Sequence, residues 1–555
     1  MIGLTRILPY ILFFISSSQL TEASQGPIVA LDYGSFQGNL TGDSVKFLGI
    51  PFAAPPVGKL RFALPNAPIP FKGVRQATSF GAACFQQSLG VSAEDLASLG
   101  ITSPVPTPAS VSEDCLFINV FKPANIPEGK KLPVVFWIYG GKWAFQAGDS
   151  ASYPGDVIVA RSVALGEPVI YVSSNYRLSA FGFLQGKEAR NAGLGNIGLR
   201  DQQFALRWLQ KYICAFGGDP QKVMTWGESA GAMSASFHFL ANDGNAQGLF
   251  RGSFMESGSP SFLRDITANQ KYFDQLVVDA GCRGAADPIA CLRTVPFDTL
   301  GDAINKSPSS FSYISMTLPW GPSIDGQFFK RAPQQSLLEG LYAKVPFVNG
   351  DCDDEGTLFA FANMNITCST IAVNFEHSYL PGISDDQLAA LAKAYPEDPT
   401  QGAPFDTGTA NALTPQFKRI AAIQTDLFFQ APRRFFFKIA SKTQPTFSFC
   451  KSRGKATPYL GAAHASDLAE FYGTGTQPDL IGMDAMINFA NTLNPNTKNT
   501  KSLLSKINWP RWESSAVAHP LFTFVDPAPA VNVTFDNFRT KEIDLLTTIA
   551  LALFG

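Results

Sequence analysis

The sequence predicts an α/β protein: a mixed, mostly parallel sheet flanked by helices. Three short apolar runs carry that expectation. Pro133–Tyr139 breaks off at Gly140-Gly141, Val223–Trp226 breaks off at Gly227, and Val345–Val348 runs into the acidic stretch Asp351, Asp353, Asp354 and Glu355. Each reads as a strand stopped by loop residues. The second is followed by Ala230–Leu240, a helix-forming series of small and apolar residues, so strand, sharp turn and helix succeed one another. With 555 residues, 45% of them hydrophobic and 16% charged, the chain can bury a large core. Residues 24–555 are expected to form one large domain. The formal net charge of -2 gives no electrostatic reason to expect nucleic acid or an anionic membrane as partner.

The first 23 residues read as a leader. Arg6 supplies the positive region, Ile7–Ile15 the apolar one, and small residues follow, with cleavage after Ser18 or Ala23. About nine apolar residues are too few for a bilayer that needs roughly 20, so no transmembrane segment is expected. Export agrees with four N-x-S/T sequons, at Asn39, Asn305, Asn365 and Asn532. The eight cysteines are scattered, with no C-x-x-C pair and no Cys/His spacing of a metal site. In an exported chain that favours disulfides.

Further along, the Gly140-Gly141 break marks a loop whose backbone must come close to something, and Lys142 stands where a third glycine would fit. Gly193–Gly198 is a literal G-x-G-x-x-G, with Asp219 where a ribose-binding acid would lie. The residues before it are polar rather than strand-like, so dinucleotide binding is not expected.

Gly227-Glu228-Ser229-Ala230-Gly231 is G-x-S-x-G between a strand and a helix, the context of a nucleophile elbow in α/β-hydrolases. The serine sits in a strained turn, so the residues two before and two after it must be small. Its hydroxyl is a poor nucleophile without a base. Only four histidines exist. His238 lies nine residues past Ser229 on the same helix, roughly 13 Å along its axis, and cannot reach. His377, His464 and His519 remain open on position alone. The acids after Val348 are candidates for the group that orients the base, and an ordinary acidic surface turn is equally open. The apolar tail Leu545–Phe554 is too short for a membrane anchor and is expected to pack as a final helix.

With these motifs in hand, the chain resembles the type-B carboxylesterase/lipase family, the cholinesterase-like branch of the α/β-hydrolases, and most closely its secreted fungal lipases and sterol esterases. The likeness rests on FLGIPFAAPPVGKLRF (47–62), SEDCLFINVFKP (112–123), NYRLSAFGFL (175–184), GNIGLRDQQFALRWLQKYICAFGGDP (195–220), GESAGA and DEGTLF (354–359), in family order. It implies a Ser229–His464–Glu355 triad and sets the neighbouring aspartates aside. It implies an oxyanion hole from the N–H groups of Gly141, Lys142 and Ala230. It implies disulfides Cys84–Cys115 and Cys282–Cys291. Cys214 is then expected as a packed thiol on a stripe with Ala205, Trp208, Leu209, Tyr212, Ile213 and Phe216. A third bridge between Cys352 and Cys368 is the less favoured outcome. The loop from Phe85 to Asp114 would be a lid, its segment 92–101 opening on Ser92 and Asp95 and continuing with Leu96 and Leu99.

The implied function is a secreted serine hydrolase of hydrophobic carboxylic esters. It would work without metal or redox cofactor, at a lipid–water interface when the lid opens. The alternative is a catalytically inactive, cholinesterase-like binding or adhesion protein.

Overall fold

The computed structural model describes residues 25–89, 108, 110–140, 146–369, 379–474 and 478–554. The leader, Gly141, Lys142, His377 and the amphipathic segment 92–101 lie outside them. One sheet organises the described residues. Its strands are β1 (Gln25–Leu31), β2 (Gly34–Thr41), β3 (Ser44–Pro51), β4 (Val74–Gln76), β5 (Phe117–Pro123), β6 (Leu132–Ile138), β7 (Ile170–Ser174), β8 (Gly218–Glu228), β9 (Gly252–Glu256), β10 (Phe347–Cys352), β11 (Thr446–Lys451), β12 (Pro520–Phe524) and β13 (Val531–Phe535). The order is β1-β2-β3-β5-β7-β6-β8-β9-β10-β11-β12-β13, with β4 beside β2. From β7 to β12 every pairing is parallel, and the flanks on either side are antiparallel apart from the parallel β2–β4 pair.

Central strands β6, β7, β9, β10 and β11 are buried at every residue. That is the signature of a sheet covered on both faces, and it explains why these segments read as continuous apolar runs. The helices that matter below are α1 (Asp156–Leu165), α2 (Ile197–Tyr212), α3 (Ala230–Gly244), α4 (Phe417–Thr425), α5 (Ala431–Ala440), α6 (Leu468–Tyr472), α7 (Ile481–Thr492) and α8 (Thr540–Phe554). α1 packs on β3, β5 and β7, α2 and α3 on β8, and α7 on β6 and β8. The tail packs as expected: α8 buries Ile543, Leu546, Ile549 and Ala550. No helix among the described residues is long and apolar enough to cross a membrane.

Both expected disulfides are formed, Cys84–Cys115 and Cys282–Cys291. Cys352 and Cys368 are not bridged. Cys214 corrects an expectation, because it is exposed beside the Lys131 ammonium rather than packed. The stripe that placed it assumed a helix through Phe216. α2 ends at Tyr212, and residues 213–216 form a 3₁₀ turn, which rotates Ile213 and Phe216 inward and Cys214 out. The acidic stretch after Val348 is not a surface turn either. Asp351 and Cys352 belong to β10, and Asp351, Asp354 and Glu355 are all buried. Gly193–Gly198 follows the short helix Lys187–Asn191 rather than a strand and leads into α2.

Candidate active site

Four segments converge at the carboxyl ends of the parallel strands, where open α/β sheets form their crevices. Ser229 directly follows β8, and Gly140 lies two residues past β6. Glu355 lies three past β10, and His464 sits in the loop between β11 and α6. Ser229 has φ 57° and ψ -125°, a conformation that L side chains rarely adopt. Its N–H donates to the Glu256 carbonyl on β9 at 2.9 Å, and its carbonyl accepts from Met233 N, starting α3. The flanking glycines are steric requirements. A Cβ at Gly231 would stand 1.9 Å from the Ile138 carbonyl oxygen, and one at Gly227 would stand 2.5 Å from Gly231. Gly140 answers what the Gly-Gly break approaches, since a Cβ there would lie 2.9 Å from that of Ser229.

Around this serine the structure brings His464 and Glu355 together. His464 Nε2 lies 2.8 Å from Ser229 Oγ, and Nδ1 lies 2.5 Å from Glu355 Oε2. The other Glu355 oxygen accepts the Cys352 N–H at 2.6 Å, which fixes the carboxylate plane. Phe359 and Phe429 each hold a ring centroid 5.0 Å from the imidazole and screen it from water. Burial pushes both partners toward their uncharged forms. The imidazole falls to about 4, with Asp467 and Asp351 opposing, and burial raises the Glu355 carboxyl, with hydrogen bonds from Ser257 and Cys352 opposing. The neutral imidazole is the form that can take a proton from the serine. His238 is buried on α3 against the Gln202 side chain, and His519 is hydrogen-bonded to the Glu513 carbonyl, so neither belongs to the site.

Several site residues escape a sequence reading. Glu228, Glu256 and Asp467 are buried near these three residues, each with one carboxyl oxygen that has no hydrogen-bond partner among the described residues. Glu228 Oε1 lies 3.3 Å from His464 Nε2. Burial raises all three carboxyls, Asp467 to about 6 and both glutamates well above the usual range, with neighbouring carboxylates adding to the rise. Gln86 clamps the far end of the Gly-Gly loop, accepting from Gly148 N at 2.8 Å and donating to its carbonyl at 2.9 Å. The chain bulges into one π-turn, Asp426–Gln430, between α4 and α5. That turn places Phe429 on His464 and puts Leu427 and Phe428 into a neighbouring cavity of about 160 Å³. Met233, one turn past Ser229, and Phe262, Leu263 and Phe554 line the same cavity. A larger cavity of about 600 Å³ is lined by Asp353, Arg419, Arg539 and Glu542 among others, and neither cavity is lined by Ser229, Glu355 or His464 themselves.

The model of the Carboxylesterase family matches residues 25–522. The chain belongs to the carboxylesterase family. It is therefore a carboxylic ester hydrolase, and its relatives agree. It is 39% identical to Lipase 4 of Diutina rugosa over 92% of this chain and 93% of that one. It is 38% identical to Secreted lipase 1 of Botryotinia fuckeliana over 90% of this chain and 88% of that one. It is 35% identical to the secreted triacylglycerol lipase LIP1 of Gibberella zeae over 97% and 93%. Among solved structures it resembles Aspergillus niger EstA, with a TM-score of 0.80 at 27% identity, covering 96% of this chain and 99% of that one. The carboxylesterase fold, with its mostly parallel sheet and flanking helices, is thus the architecture expected from the sequence.

Proposed function

We propose that this carboxylesterase is an exported lipase-like enzyme that cleaves hydrophobic carboxylic esters through an acyl-serine intermediate. Ser229 is the nucleophile, His464 the base and Glu355 the acid that orients it. The observation that carries the reading is the unbroken chain of contacts from Ser229 Oγ through His464 to Glu355, at 2.8 and 2.5 Å. His464 takes the serine proton as Oγ attacks the ester carbonyl, and Glu355 stabilises the imidazolium that forms. The proton then passes to the departing alcohol, and water repeats the sequence on the acyl-serine. The oxyanion is held by N–H groups of Ala230, Gly141 and Lys142. Support for the first comes from its place at the start of α3, where helix N–H groups have no internal acceptor.

The apolar cavity one turn past Ser229 suits an acyl chain, and the larger charged cavity does not. A leader over residues 1–23 and the relatives named as secreted favour export. Asn305, Asn365 and Asn532 are exposed and suit glycan attachment, whereas Asn39 is half-buried within β2. The test is replacement of Ser229 by Ala, which removes ester hydrolysis and the covalent adduct that an organophosphate leaves on wild type. Unchanged hydrolysis in the variant refutes the mechanism, and a wild type that takes no label returns the inactive binding protein. Rates against acyl length, below and above the solubility limit of the ester, separate lipase from short-chain esterase.

A further inference from the structure

Two loops bring the acid and the base together, and a residue outside the triad ties them. Asp354 is fully buried next to Glu355. Its N–H donates to the Ala462 carbonyl at 3.0 Å, and its Oδ2 accepts the Ala462 N–H at 2.8 Å. Asp354 and Ala463 form a short parallel bridge. The staple thus grips the base loop two residues before His464 and the acid loop one residue before Glu355. A third strand of chain is gathered in as well, because Oδ1 accepts from Phe405 N at 2.8 Å. Lys455 neutralises the carboxylate, with Nζ 2.9 and 2.8 Å from its two oxygens and 2.6 Å from Asp353 Oδ2. The opposite wall is tight. Gly461 has φ +59°, and a Cβ there would stand 2.4 Å from Asp354 Oδ2.

We propose that Asp354 is a positioning residue for ester hydrolysis: it sets the spacing between the Glu355 loop and the His464 loop, and so the contact between acid and base. The proposal rests on the triad reading. Among the described residues no other hydrogen bond on the base loop's 461–463 backbone reaches the acid loop so close to both side chains, and a shift of about 1 Å between reacting groups costs roughly 10²-fold in rate.

The experiment measures kcat, KM and the pH profile for Asp354→Ala, Asp354→Asn, Lys455→Gln and Gly461→Ala. Each is normalised to the Ser229 sites titrated by an organophosphate, so unfolded protein does not count. Asp354→Ala loses about 10²-fold in kcat per titrated site with KM nearly unchanged. The acid limb of its kcat/KM profile moves up toward the ordinary histidine value as water reaches the loosened imidazole. Asp354→Asn, which keeps one acceptor, falls between. Lys455→Gln keeps both carboxylate acceptors for the Ala462 and Phe405 N–H groups and stays within a few-fold of wild type. Gly461→Ala drives a methyl group into the Asp354 carboxylate and reproduces the loss of kcat, which serves if Asp354→Ala does not fold. A residue that only stabilises the fold would lower the melting temperature and leave kcat per site and the acid limb in place. That result in Asp354→Asn and Gly461→Ala overturns the staple alone. A wild type with no label on Ser229 overturns the triad reading, and the staple with it.

Discussion

Residue by residue, the site is governed by what burial does to charge. In the proposed mechanism the base must be neutral to act, and burial lowers the His464 imidazole from its ordinary 6.5 to about 4. Activity is lost as pH falls through that value, so the acid limb of kcat/KM should lie below pH 6.5. A pH–rate series on a soluble ester checks this, and a midpoint at or above 6.5 contradicts it. Glu256 gives the opposite sign for stability. Its carboxyl is raised well above 4.5 by burial first, with Asp467 adding, and it accepts a hydrogen bond from the Trp226 indole. The unfolded chain ionises this group from about 4.5 upward while the folded chain keeps it protonated, so its contribution worsens as pH rises. Glu256→Gln should therefore raise the melting temperature relative to wild type, more at pH 8 than at pH 5. Lys142→Gly should alter preference between short and long acyl esters more than it alters the fold, because it removes a long cationic side chain next to the Gly140-Gly141 pair. Kinetics unchanged across chain lengths would count against that. Ser229 stands out in the sequence by its G-x-S-x-G, whereas Glu355 and His464 were singled out only through the family resemblance, because position alone left other acids and histidines open. Glu228, Glu256, Asp467 and the role of Asp354 were not, because nothing local marks a carboxylate whose partners are brought by other strands.

Among the elements, the sequence was readable where periodicity is uniform and failed where it changes. β6, β8, β10 and α3 appear where apolar runs and small residues placed them. The π-turn at Asp426–Gln430 has no such signal, since its extra residue is set by tertiary contacts: Asp426 accepts from the Tyr395 hydroxyl at 2.8 Å and pairs with Arg539. Cys214 was misplaced for a related reason, a switch from α to 3₁₀ at the end of α2. The most stringent element-level joint is Arg433 on α5. It is buried and pairs with Asp351 on β10 at 2.9 Å and with Asp536, just past β13, at 2.8 Å. Replacing it with Met leaves two buried carboxylates short of a partner and should cost about 3–5 kcal/mol, read from a urea titration. A loss below about 1 kcal/mol would show that water replaces the guanidinium.

At the scale of the molecule, the sheet order could not be read from composition, because strands adjacent in the sheet are far apart in the chain. β10 and β11 are neighbours although nearly a hundred residues separate them. Disulfides act on the same scale. The Cys84–Cys115 bridge spans 31 residues and Cys282–Cys291 spans 9. Loop entropy alone assigns about 3.7 and about 2.6 kcal/mol to them, so opening the first as a Cys→Ser pair should lower the melting temperature more. One edge of the sheet has a practical consequence. Among the described residues β13 is its last strand, paired on one side only, and Val533 and Phe535 on it are 45% and 49% exposed. Such an edge is a template for a second copy. The sequon at Asn532 lies on that strand, so a glycan there would act as a bumper against stacking. The enzyme made in a host that attaches no sugars, or with Asn532→Gln, should be active but should aggregate with concentration, and light scattering beside the glycosylated form reads the difference directly.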